Sequence, residues 1–163
     1  MKKLLGVVVF ALLLFSLSPA AVGAQSQKAF QTKYTTIYYT DDKDMDDFIW
    51  RLGGQRMEFV SDPQLASYRI DRLVDRVQNI LDMWPEHFQI AIFLHRGPLK
   101  VNETAFYEKA TKTIHVSVDS VSDGVIAHEI AHASIAQYFS TPPPSKMQEI
   151  LAQYVDKFLW SDY

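Results

Sequence analysis

Residues 125–139 read VIAHEIAHASIAQYF, and the two histidines inside that apolar run decide how the rest of the chain is arranged. The run is apolar on nearly every side, as a helix buried between a sheet and a second helix is. Ser122 offers a side-chain oxygen as its N-cap, so the helix is predicted over about Ser122–Phe139. At about 100° per residue the two imidazoles stand roughly 40° apart and one turn apart, so both reach a single metal ion. Glu129 falls on the neighbouring flank. From there a carboxylate reaches a metal-bound water without being a ligand, which is where a general base for hydrolysis stands. Two imidazoles and a carboxylate in such apolar surroundings also demand a compensating cation. The bland alternative, two unrelated histidines and a buried glutamate, requires H-E-x-x-H to arise by chance on a helix, which its rarity argues against.

A third ligand is still needed. Structural zinc is normally closed by four protein ligands, often cysteines, whereas catalytic zinc keeps three and leaves the fourth position to water. The chain has no cysteine, which also excludes disulfides and cysteine catalysis. Glu149, seventeen positions after His132, opens another apolar-patterned segment, Gln148-Glu149-Ile150-Leu151-Ala152-Gln153-Tyr154. With His128 and His132 it makes a three-ligand, open site. The ordinary alternative for Glu149 is a solvated carboxylate near a helix N-terminus, favoured there by the macrodipole.

The stretch Val125 to Phe158 resembles the gluzincin clan of zinc metallopeptidases, in which an H-E-x-x-H helix is followed by a second helix carrying a glutamate ligand. Pro142-Pro143-Pro144, Glu149, Leu151-Ala152 and Tyr154 are similar to the small peptidase-MA-like members, whose second helix typically reads N-E-G-L-A-x-Y. Gln148 replaces the asparagine of that pattern, and Ile150 replaces the glycine, where a branched side chain could narrow the cleft. Thermolysin-like relatives carry a histidine-orienting aspartate one turn after the glutamate; here that position is Gln153, so the group that orients the histidine has to come from elsewhere or hold it more weakly. The resemblance implies one zinc ion held by His128, His132 and Glu149, a zinc-bound water activated by Glu129, and a peptide or protein substrate.

Lys2-Lys3, an uncharged run from Leu4 to Leu17, and a small-residue tail ending Val22-Gly23-Ala24 have the three-part layout of a secretory signal peptide. Residues 1–24 are therefore expected to be a leader and 25–163 the domain, secreted or periplasmic. An uncleaved anchor is the alternative, because Leu4 to Ala24 approaches the roughly 20 residues that span a bilayer. Removing Lys2 and Lys3 takes the net charge from −3 to −5, which gives no electrostatic footprint for nucleic acid or anionic membrane. The 139 residues left are enough for a single core.

Upstream of the motif, Tyr34 to Thr40 reads as a strand, followed by a helix with Met45, Phe48, Ile49 and Leu52 on its buried stripe and Gly53-Gly54 at its end. From Pro63, the residues Ala66, Ile70, Leu73, Val77, Ile80 and Trp84 recur at helical spacing, with Asp71, Arg72, Asp75 and Arg76 as a solvated charged face. Phe88 to Leu94 reads as a buried strand, and Ala105–Glu108 with Thr113–Val118 as a hairpin in which Ile114, Val116 and Val118 face one way and Thr113, His115 and Ser117 the other. A final helix over about Lys146–Trp160 is expected to bury Met147, Leu151, Tyr154 and Phe158. The expected fold is α+β: a zincin-like single domain with a small mixed sheet, its edge hairpin packed on the H-E-x-x-H helix and the following ligand helix.

A peptidase also needs an electrophile for the tetrahedral intermediate, and Tyr154, Tyr107 and His115 are candidates among which the sequence does not choose. Packing is the default for Tyr154, an exposed sheet face for His115, and surface or loop positions for His87 and His95. The leading reading is an exported zinc metallopeptidase, which can depend on a partner protein to complete its cleft. The alternative is a non-catalytic zincin-fold zinc-binding or interaction module in a secreted assembly; the retained Glu129 argues against it, because simple zinc binding does not use that carboxylate.

Overall fold

Two neighbouring rows of side chains explain how the sheet is built. In the computed structural model, which describes residues 26–53, 55–100 and 103–161, the strands are β1 Lys28–Gln31, β2 Thr35–Tyr39, β3 Ile90–His95, β4 Ala105–Glu108 and β5 Thr113–Ser117. The helices are α1 Asp42–Gly53, α2 Pro63–Leu81, α3 Asp123–Tyr138 and α4 Ser145–Phe158. The leader read at residues 1–24 lies outside the described residues. The strands form one mixed sheet in the order β1-β2-β3-β5-β4, with parallel pairing of β3 to β2 and β5 and antiparallel pairing at both edges. One row, Ile37, Ile92 and Ile114, runs across β2, β3 and β5 in direct register and is fully buried. Strand alternation turns the next row, Tyr38, Phe93, His115 and Phe106, to the opposite face.

That second row is a stack of rings. Centroids lie 4.5 Å apart for Tyr38 and Phe93, 5.7 Å for Phe93 and His115 and 4.8 Å for Phe106 and His115, and the Lys100 ammonium caps the stack 4.6 Å from Phe106. Cross-strand pairs of this kind contribute about 0.2–1 kcal/mol each. They also fix register, since a slip by one residue would send the rings into the core and the isoleucines out of it.

The helices bury what the spacing predicts, with limits. α1 buries Met45, Phe48, Ile49 and Leu52. α2 starts at Asp62, whose carboxylate accepts the Leu65 N–H at 2.9 Å, and stops at Asp82, a left-handed cap at φ 55° whose N–H returns to the Asn79 and Gln78 carbonyls. Trp84 therefore lies beyond the helix and is exposed, because its spacing continues a pattern that the Asp82 cap has ended. β3 begins at Ile90; Phe88 is buried but precedes it, next to His87 in a turn at φ 54°. Val118 is buried beyond the end of β5, and the supposedly polar side of that strand is covered too: Thr113 and Ser117 are buried, the latter donating to the Gly97 carbonyl at 2.7 Å. β1 is largely exposed and carries no alternating apolar pattern that would mark it as a strand.

Arg96, at the end of β3, joins the layers. Its guanidinium meets Asp44 at 2.7 Å, Asp47 at 2.8 Å and Asp119 at 3.0 Å, tying α1 to the turn that leads into α3. Among the described residues no helix is long and apolar enough to cross a membrane.

Candidate metal centre

Ser122 begins α3 as its composition suggests, its hydroxyl accepting the Val125 N–H at 3.4 Å. The turn ahead of it is held from α1, where the Arg51 guanidinium donates to the carbonyls of Asp119 and Val121. Ile126, Ala127, Ile130, Ala131, Ala133 and Ile135 are buried around α3. His128 and His132 occupy the half-buried side that faces α4.

α4 is rotated away from the expected stripe. It buries Ala152 and Val155, with Leu159 just beyond its end, whereas Met147 and Tyr154 are exposed. At about 100° per residue, the face centred on Met147, Leu151, Tyr154 and Phe158 lies roughly 170° from Glu149, so burying it would aim Glu149 away from α3. The rotation adopted brings Glu149 to both histidines. Gln148 closes the preceding proline loop by donating to the Pro143 carbonyl at 2.7 Å. Ile150 is exposed and does not line the cleft.

The donor atoms of the three residues converge, with a different carboxylate oxygen of Glu149 facing each histidine. His128 Nε2 and His132 Nε2 are 3.2 Å apart, and the Glu149 carboxylate oxygens lie 3.5 Å from the first and 3.3 Å from the second. Around a tetrahedral zinc with bonds of about 2.0–2.1 Å, ligand atoms stand about 3.3 Å apart. The group can therefore hold a metal ion. Asp156 strengthens that fit: its Oδ2 lies 3.1 Å from His128 Nδ1. With Nδ1–H donating to the carboxylate, the Nε2 of a neutral imidazole carries the lone pair and points it at the other histidine, an arrangement that a cation satisfies. Gln153 is exposed and gives the histidines no support. Asp156 was missed, although it lies two turns beyond Glu149 and shares its helix face.

Glu129 sits beside these three residues. Burial pushes its carboxyl above the ordinary range, partly opposed by His128 and by the Tyr107 backbone N–H that donates to it. Burial likewise lowers His132, opposed chiefly by Glu149. His128, Glu129, His132 and Glu149 line a cavity of about 430 Å³, walled by Ala105 and Tyr107 of β4 on one side and Gln148 of α4 on the other.

The three electrophile candidates separate. Tyr107 lines this cavity, but its hydroxyl is buried without a hydrogen-bond partner and its ring packs against the core. Tyr154 is exposed against Phe158 and outside the cavity. His115 belongs to the ring stack on the opposite face of the sheet, so it neither lines the cavity nor stands as an exposed polar residue. His95 is not a loop residue: it ends β3 and its Nε2 lies 3.0 Å from His115 Nδ1. Compared with models of protein families, with curated proteins and with solved structures, the chain matches none.

Proposed function

We propose that this chain is an exported zinc-dependent peptidase of the gluzincin type. The observation that carries the reading is the convergence of His128, His132 and Glu149, with nitrogen and oxygen atoms 3.2 to 3.5 Å apart, beside the half-buried carboxylate of Glu129. Two imidazoles and one carboxylate suit zinc among the common metals and leave a coordination position open. When bound, the ion supplies Lewis acidity to a water and to the substrate carbonyl. Glu129 accepts the proton of the attacking water and then delivers it to the departing amine nitrogen. Asp156 holds the His128 ring in the tautomer that keeps Nε2 available. Tyr107 is the one electrophile candidate at the cavity, and reaching a substrate requires its hydroxyl to leave the core.

Export rests on the leader-like pattern of residues 1–24, and an intact mass of the exported protein beginning near Gln25 is expected. The deciding experiment pairs metal analysis of the purified mature chain with cleavage of an unfolded protein substrate. Glu129→Gln should keep its zinc and lose hydrolysis by roughly 10²–10⁴-fold, because the amide still hydrogen-bonds a water but cannot take its proton. Comparable zinc-dependent turnover in that variant would remove Glu129 as the base. Zinc without turnover in the wild type would leave the non-catalytic module.

A further inference from the structure

The charged side of α2 is not evenly solvated. Asp71 accepts the backbone N–H groups of Lys33 and Tyr34 and the Ser67 hydroxyl, and Asp75 accepts the Tyr34 hydroxyl, so both acids are engaged with the turn between β1 and β2. At about 100° per residue, Arg69, Arg72 and Arg76 fall within roughly 60° of one another on a different flank. That flank forms one wall of a groove of about 860 Å³, closed by Leu52 and Gly53 at the end of α1 and by Trp160 and Ser161 after α4. It is separate from the metal centre, with which it shares no lining residue.

The three arginines are differently committed. Arg76 donates to the carbonyls of Phe158, Leu159 and Ser161 and holds the groove's far wall in place. Arg69 donates to the Gln55 carbonyl at 2.9 Å, while its side chain lies against Gly53. Arg72 is exposed and makes no hydrogen bond or ion pair among the described residues. Beside these cations stand two exposed aromatic surfaces: Tyr68 is 61% and Trp160 58% exposed, the indole being fixed by its N–H to Asp123 at 2.8 Å. Three arginines against one engaged aspartate, in a chain whose net charge is −3, make a local field opposite to that of the whole molecule.

We infer that this groove is a docking site for a short acidic polypeptide segment with apolar anchors, contributed by a partner or substrate protein. A carboxylate would pair with the unpartnered fork of Arg72, and an apolar side chain would lie between Tyr68 and Trp160; exposed aromatics and arginines are the residue types that dominate such interfaces. The inference does not depend on the chemistry at the metal centre.

The test is fluorescence anisotropy with a fluorescein-labelled peptide of alternating glutamate and leucine or phenylalanine, titrated with the mature chain carrying Glu129→Gln to prevent cleavage. The peptide should bind equally before and after chelator treatment, which separates the groove from the metal centre. Arg72→Glu and Tyr68→Ala, both changes of exposed side chains, should each weaken binding by about tenfold. A version with lysine for glutamate should not bind. Absence of binding, unchanged affinity in both variants, equal binding of an acidic peptide without apolar residues, or displacement of the peptide by phosphatidylglycerol vesicles would each overturn the inference.

Discussion

Asp156 Oδ2 lies 3.1 Å from His128 Nδ1, on the face of α4 that also presents Glu149. One helix thus supplies both a member of the candidate metal group and the carboxylate that contacts another member. Asp156→Ala is expected to weaken metal binding by about 10–100-fold while leaving the circular dichroism spectrum unchanged, since the side chain is not part of the core. A competition titration against a chromophoric zinc chelator measures it. Unaltered affinity would mean that the contact does not order the imidazole.

Glu149→Ala should have the larger effect. Without that carboxylate two imidazoles leave half of a tetrahedral shell to water, and metal should be lost on dialysis against a mild chelator that the wild type survives. Full retention would take Glu149 out of the ligand set.

Arg96→Met tests the clamp between α1 and the turn before α3. The substitution leaves Asp44 buried without its cation, a change that costs about 3–5 kcal/mol for fully buried pairs. Because the Arg96 side chain is 43% exposed, the loss should fall at the lower end of that range, read as a shift of the urea midpoint. A change below about 0.5 kcal/mol, typical of surface substitutions, would show that the three contacts are merely peripheral.

The His95–His115 pair should make stability depend on pH. Burial first, and the neighbouring His115 second, lower the His95 pKa from its ordinary 6.5. A lowered folded value means that the unfolded chain binds more protons between the two values. Stability is therefore complete above about 6.5 and falls as the pH drops from there toward the folded value. Urea midpoints measured from pH 7.5 to 5 should decline more steeply for the wild type than for His95→Asn. Parallel profiles would contradict this assignment.

How much of this was legible before the fold was known depended on whether a residue's neighbours are local. α3 could be read almost to its ends, because Ser122 and the apolar run specify a capped, buried helix without reference to anything distant. Glu149 could be proposed as a ligand, but its helix was given the wrong rotation: the larger apolar residues of α4 outweigh Ala152 and Val155 in any count of hydrophobicity, yet they lie on the side opposite Glu149. Had Glu149 set the phase, Asp156 would have followed from the seven-residue spacing. His115 was misread for another reason. Its partners Phe93, His95 and Phe106 come from two other strands, and only strand order makes them neighbours. β1 left no signal, since Lys28–Gln31 is largely exposed and pairs along one edge alone.

All three members of the metal group come from two consecutive helices, and the sheet contributes none. Bringing them together requires only the short connection between Tyr138 and Ser145 to close, whose entropic cost grows slowly with length. If the group binds its ion, the α3–α4 pair would be able to form around it before β1 to β5 have found their order. Capture at that stage would stabilise the folding transition state as much as the native state, so saturating metal should raise the folding rate and leave the unfolding rate nearly unchanged.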